Sequence, residues 1–230
     1  MWSISTMKYR PSWRYFIVRH NWVECSYMPE KKIYLTKTDF KEYLICPKCL
    51  WLKKRKPELY KEDEISLFLQ KLIKDGYAVE RYVQKRFPSG FSVGGDKDTA
   101  ITRTQELLKE KKTIFQATFE TQEGLFVKAD VLYFNTDNQK WDIYEVKSSS
   151  EIKTDLKHNH IKDITFQTIV VERAGVDIGD SYIVHIDKNY VRHGNIDVNE
   201  LCVFECVSGF VDEERGIVSQ EIESALELLE

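Results

Sequence analysis

Two carboxylates and an ammonium carry the first chemical signal in this chain. Asp130 and Glu145 flank a turn-rich segment, and Lys147 follows Glu145 by two places. Residues 126–134 are apolar and rich in β-branched and aromatic types, as are 141–147, so both stretches read as strands. Residues 135–140 between them are turn formers. A hairpin centred on Asp137 and Asn138 pairs Phe134 with Trp141, Leu132 with Ile143, and Asp130 with Glu145. Directly opposed side chains sit roughly 5 Å apart, where like charges destabilise a hairpin. Such a pair is useful where a divalent cation must be held, because hard cations take carboxylate oxygens and complete their shell with water and phosphate. Lys147 shares a face with Glu145. Beside a cation it can position an attacking water and stabilise charge developing on a phosphate. The plain alternative is a solvated strand end on which Lys147 neutralises Glu145.

Two further polar residues stand on helical stripes. Gly76, Val79, Val83 and Phe87 recur at helical spacing, with Glu80 against them. Gln167 lies beside Ile164, Val170, Val171 and Ala174. Taken alone, Glu80 is an ordinary boundary residue and Gln167 a packed, hydrogen-bonded amide. They gain weight from the Asp130–Glu145–Lys147 core.

Asp130 followed by Glu145-Val146-Lys147 resembles the D…(D/E)xK core of the PD-(D/E)XK nuclease superfamily, and its RecB-like and lambda-exonuclease-like branches match best. Those branches place an acidic residue or His on a helix upstream, where Glu80 stands, and a Gln on the helix after the core, where Gln167 stands. Residues 36–47, ending in Cys46-Pro47, resemble the RecB-like entry segment, and Phe87-Pro88-Ser89-Gly90 resembles the turn that follows the first acidic helix. The resemblance spans about residues 33–211. It departs at Val171, where many members carry Tyr, so the details of DNA contact should differ. The resemblance implies an α/β, restriction-endonuclease-like core, a central mixed β-sheet flanked by α-helices. It also implies a metal-dependent deoxyribonuclease. Asp130, Glu145 and the Val146 carbonyl would hold Mg²⁺ or Mn²⁺, with Glu80 as a supporting ligand. Lys147 would position the water and Gln167 would steady the scissile phosphate. Single- or double-stranded DNA is the expected partner, in DNA repair or defence. A catalytically weak nucleic-acid-binding module of a larger complex and a restriction-type endonuclease stay open as alternatives.

The frame agrees with one substantial domain. The 230 residues are 42% hydrophobic and 13% aromatic, enough for a packed core. A net charge of −3 gives no bulk nucleic-acid signature. A local basic surface could come from Lys48, Lys53, Lys54, Arg55 and Lys56, or from Lys109, Lys111 and Lys112, although charge runs are commonly just solvated faces. No run of 18 apolar residues exists, so no membrane span is expected, and the cytoplasm is the expected compartment. Residues 1–27 are aromatic- and arginine-rich without a clear period and lack the apolar core of a secretory signal. They read as a non-native or disordered extension before Met28, with the nuclease-like domain at 28–230.

Cys46-Pro47-Lys48-Cys49 is a CxxC, and Cys202 and Cys206 lie near the other end. Some RecB-like nucleases hold an iron–sulfur cluster with one N-terminal and three C-terminal cysteines. Here the C-terminal pair lacks a third, so no cluster is expected. Zinc on two plus two remains an alternative, and buried free thiols are the reading taken. His158 and His160 fall in a polar loop, where His-x-His is mostly solvent-exposed.

The elements that must position these residues follow from pattern and punctuation. Helices are expected at 36–54, 62–86, 98–111, 160–174 and 212–229. Antiparallel strands are expected at 113–121, 125–134 and 140–147. A strand over 181–186, reached by a helical crossover, should lie parallel to that of Glu145, and residues 204–207 read either as a short edge strand or as the lead-in to the last helix.

Overall fold

The hairpin forms in the register set by its side chains. The computed structural model describes residues 32–61 and 64–230, and the expectation for residues 1–27 falls outside them. The elements are β1 (Leu35–Thr36), α1 (Lys37–Ile45), α2 (Pro47–Arg55), α3 (Leu67–Gln84), β2 (Phe91–Ser92), α4 (Lys97–Lys109), β3 (Ile114–Glu120), β4 (Leu125–Asn135), β5 (Lys140–Val146), α5 (His160–Arg173), β6 (Ile178–Ile186), α6 (Val198–Leu201), β7 (Cys202–Cys206) and α7 (Ser208–Leu229). Leu132 pairs with Ile143 and Phe134 with Trp141 as expected, and the ladder ends at Val131–Tyr144, one step before the expected Asp130–Glu145 pair. Among the described residues seven strands form one mixed sheet in the order β2-β3-β4-β5-β6-β7, with β1 parallel to β4. β6 lies parallel to β5 and β7 closes the edge antiparallel to β6. The α/β architecture, a mixed sheet flanked by helices, is the one expected and is consistent with a restriction-endonuclease-like core.

Each sheet face has its own core. On one face Phe40, Leu107, Leu132, Ile143, Phe166, Val170, Val218 and Ile222 are buried among α1, α4, α5 and α7. Phe40 stacks on Phe166 at 4.9 Å. On the other, Val79 and Val83 of α3 pack on Phe115, Val131, Tyr144 and Val184. Side chains should alternate along each strand, yet the alternation slips at one level. Ala129 and Leu132 both face the first core while Val131 faces the second, and in β3 Ile114 and Ala117 face the first core while Phe115 faces the second. The slip falls on Asp130 and on Gln116, which lie opposite each other between the pairs Phe115–Val131 and Ala117–Ala129. Gln116 takes φ +56° to make it, a left-handed conformation that costs a non-glycine residue about 1–2 kcal/mol.

Three expectations need correction. The helix expected over 36–54 is two helices, because Pro47 lacks an N–H and drives Cys46 out of the helical region, to φ −153° and ψ 91°. Cys46 becomes the N-cap of α2 and its Sγ accepts the Cys49 N–H at 3.2 Å. The two sulfurs thereby share one turn, and Cys46 and Cys49 form a disulfide with Cα atoms 5.2 Å apart instead of free thiols. Cys202 and Cys206 are free, the first buried and the second exposed, and burial pushes the Cys202 thiol up to about 11. His160, expected in an exposed loop, is buried in the first turn of α5. Of the basic run at 48–56, Lys53 and Lys54 pair with buried Asp39 at 3.5 and 2.6 Å, and Arg55 donates to the Glu230 carbonyl at 2.9 Å. Those cations fasten α2 within the fold. Among the described residues no helix is long and apolar enough to cross a membrane.

Asp39 organises the start of α1. It sits at the third helical position and accepts the Thr36 N–H at 3.0 Å, while Thr36 Oγ1 accepts the Asp39 N–H at 3.2 Å, closing a capping box. Burial would raise this carboxyl, but Lys54 and Thr36 override burial and hold it below the usual aspartate range. Its stabilisation is therefore present above the ordinary aspartate pKa and lost as pH falls through the depressed value. Asp39→Ala should cost about 1–3 kcal/mol at pH 7, and the gap from wild type should narrow below about pH 4. Thermal melts across pH check this. Thiol titration checks the CxxC: without reductant the protein should present two fewer thiols than after reduction.

Candidate active site at the strand fork

The edge of β4 is shared. Its C-terminal half pairs with β5, from Val131–Tyr144 to Asn135–Lys140, and its first two residues pair with β1. Between these stretches β4 and β5 part, and the gap is a fork. The Lys147 N–H bonds the Val184 carbonyl of β6, so the Val146 N–H points the other way, into the fork. A backbone donor there must find a partner. Asp130 Oδ2 accepts it at 2.8 Å. The Val146 carbonyl leaves the strand on that same edge.

Glu145 is buried, 2% exposed, and fully engaged. Its Oε1 accepts from Lys147 Nζ at 2.7 Å and from Lys37 Nζ at 2.6 Å, and its Oε2 accepts from Gln167 Nε2 at 2.6 Å. Lys147 Nζ also donates to Asp163 Oδ2 at 2.6 Å, where Lys41 approaches at 3.4 Å. Asp130 Oδ1 accepts from Gln116 Nε2 at 3.1 Å, and the same amide donates to Glu80 Oε1 at 2.7 Å. Asp130, Glu145, Lys147 and Gln167 are thus brought together. Glu80 joins them only through Gln116, and among the described residues no three His, Cys, Asp or Glu side chains converge as around an ion. The amide of Gln116 and the ammonium of Lys37 stand where three carboxylates alone would repel one another. Val171, at the point of departure from the RecB-like pattern, is fully buried. His158 is exposed beside Asp155, and His160 Nδ1 accepts the Lys153 N–H at 3.1 Å.

Burial and the neighbouring Glu145 charge push Asp130 up to about 7, against the pull of Lys37 and the Val146 N–H. Burial would raise Glu145 too, but Lys147 and Lys37 hold it well below the usual carboxylate range. Burial opposes the charge on Lys147, and Glu145 and Asp163 overcome it and raise its pKa. Lys147 is therefore an ammonium at neutral pH, a donor and a source of positive charge. Burial and then Lys147 push His160 down to about 4, so it is neutral.

Four participants escaped the sequence reading. Asp163 had a signal. His160, Asp163 and Gln167 recur at i, i+3 and i+7 on one side of a largely apolar helix, a polar line aimed at one place. Lys37 and Lys41, one turn apart on α1, carried a weaker one. Gln116 carried none, because its role depends on a left-handed kink within a strand.

Asp130, Glu145 and the Val146 carbonyl are hard oxygen donors, the kind that Mg²⁺ and Mn²⁺ prefer. Two buried oxygens beside them, Asp163 Oδ1 and Gln167 Oε1, have no hydrogen-bond partner among the described residues. The donor chemistry fits a hard divalent cation. No family model matches the chain, and none of the curated proteins matches it.

Asp130 gives a signed prediction. Its pKa is raised in the fold, so its contribution to stability is fully present below about pH 4 and is lost as pH rises towards 7. Asp130→Asn keeps an acceptor for the Val146 N–H and removes the charge. Without divalent metal it should match or exceed wild type at pH 8, by roughly 1 kcal/mol or about 2–4 °C, and lose that advantage at pH 4. Melts of both proteins in EDTA check it.

Proposed function

We propose that this chain is a metal-dependent nuclease hydrolysing phosphodiester bonds in DNA, as its RecB-like resemblance implies. The observation that carries this reading is the fork itself: two carboxylates at the point where paired strands part, with the Lys147 ammonium held between Glu145 and Asp163. Mg²⁺ or Mn²⁺, held by Asp130, Glu145 and the Val146 carbonyl, would polarise the scissile phosphate and neutralise its charge. The chain's own residues would do the rest. Glu145 stays ionised through neutral pH. Lys147, being protonated, orients the attacking water and stabilises developing negative charge, and does not take the water's proton. Asp163 fixes the ammonium from its far side. Gln167 holds the Glu145 carboxylate through its amide N–H, and Glu80 acts through Gln116 to hold Asp130 in place.

A second reading is a catalytically weak nucleic-acid-binding module of a larger repair or defence system. The grip of Lys37 on Glu145 favours it, since that ammonium must yield before a dication binds.

Labelled single- and double-stranded DNA incubated with Mg²⁺, Mn²⁺ or EDTA separates the two. The nuclease reading expects cleavage with either metal and none in EDTA. Asp130→Asn, Glu145→Gln and Lys147→Ala should each lower the rate by about a hundredfold or more, with melting temperatures showing them folded. Wild-type rates in these variants would contradict the assignment. Saturating Mg²⁺ should stabilise the fold by about 2.7 kcal/mol at a hundredfold excess over Kd and so raise the melting temperature. The gain should be larger at pH 8 than at pH 5, because protons compete for the same oxygens.

A further inference from the structure

The sheet face opposite Glu145 carries an aromatic cleft that the fork does not use. Adjacent strands each present a ring there: Tyr133 of β4, Tyr144 of β5, Tyr182 of β6 and Phe204 of β7. Arg86 and Phe87, just beyond α3, form the rim, and the cleft encloses about 410 Å³. Ligand pockets commonly fall between roughly 300 and 1,000 Å³. Tyr144 is the floor, 9% exposed. Tyr182 stacks on it at 4.6 Å with planes 10° apart, and Phe87 stands edge-on at 5.2 Å.

Three features separate this cleft from ordinary packing. Aromatic rings stabilise a fold by burying their faces, yet these rings line an open space where α3 has already ended. The hydroxyls of Tyr133, Tyr144 and Tyr182 have no hydrogen-bond partner among the described residues, and neither does the exposed Arg86 have an ion pair there. The cleft is also polarised. Arg86 stands at one side, and Asp180 lies close enough to Tyr182 that burial and then this carboxylate push the phenol up, keeping it a donor.

A ligand matching that surface has a flat π-face, polar edges and an anionic group. We propose that the cleft binds a nucleotide, with its base stacked on the Tyr182–Phe204 side and its phosphate on Arg86. The nucleotide could be free or one unit of a single strand. Either satisfies the same chemistry. The proposal does not rest on phosphodiester cleavage, since the cleft lies across the sheet from Glu145.

The test is calorimetric titration of the full chain in EDTA with 5′-AMP, with a short single-stranded oligonucleotide, with inorganic phosphate and with choline. Saturable binding of AMP, of the oligonucleotide or of both supports the proposal and identifies the source. Tyr182→Ala and Arg86→Ala should each weaken that binding about tenfold or more, whereas Tyr182→Phe, which keeps the stacking ring and loses one donor, should weaken it less than Tyr182→Ala does. Arg86 is exposed, so its variant remains informative if Tyr182→Ala melts early. Absence of nucleotide binding to the wild-type chain would overturn the proposal. So would binding unaffected by both alanine variants, or choline bound in place of nucleotide. Loss of cleavage activity in Asp130→Asn leaves every one of these readings unchanged.

Discussion

One hydrogen bond, from the Val146 N–H to Asp130 Oδ2 at 2.8 Å, is the constraint on which the site depends. Where β4 and β5 part, a backbone donor loses its ladder partner. An unmade bond in a half-buried place costs about 1–3 kcal/mol, and a side chain supplies the missing acceptor. That bond fixes Asp130 against the opposite strand after their pairing has ended. The ladder to β6 keeps the Glu145–Lys147 segment extended on its other edge, so that Glu145 and Lys147 share a face and the Val146 carbonyl lies on the fork edge. The kink at Gln116 serves the same arrangement. By taking a left-handed conformation opposite Asp130, Gln116 lets both strands change face at one level, and its amide bridges Asp130 to Glu80 on the other side of the sheet.

Burying so many charges at one point is tolerable only because they pair. Glu145 and Asp163 are nearly inaccessible, and three ammoniums, from Lys37, Lys41 and Lys147, reach them. Their positions differ in kind. Lys147 is locked between two carboxylates and more deeply buried than Lys37, whose side chain is 27% exposed. An exposed ammonium on a long stem can withdraw to water at little cost. Lys37 is therefore the cation that can leave when a dication arrives, and Lys147 is the one that stays. α1 is thereby linked to the site, and the capping box at Thr36 and Asp39 is what places its first residue there.

Legibility in the sequence followed the range of the interaction. The hairpin register, the parallel crossover strand and the contact between Gln167 and the core rested on local pattern and on the resemblance, and the structure has the register and topology as expected. The two-residue strands β1 and β2 were too short to leave a pattern, yet β1 makes the fork by occupying the edge that β5 leaves. The break at Cys46 was written in Pro47 and overridden by the apolar period around it. Lys37 meets Glu145 across 108 residues of chain, a meeting that no local spacing encodes. The aromatic cleft was invisible for the same reason, since its rings come from neighbouring strands and one loop.

Manganese binding followed by electron paramagnetic resonance tests the central claim most directly, because it reads the cation site without depending on substrate or turnover. One bound Mn²⁺ per wild-type chain is expected. Affinity should fall at least about tenfold in Asp130→Asn and in Glu145→Gln and should rise in Lys37→Ala, where the competing ammonium is gone. Unchanged binding in both carboxylate variants would place the metal elsewhere and would leave the fork as a structural knot of charges.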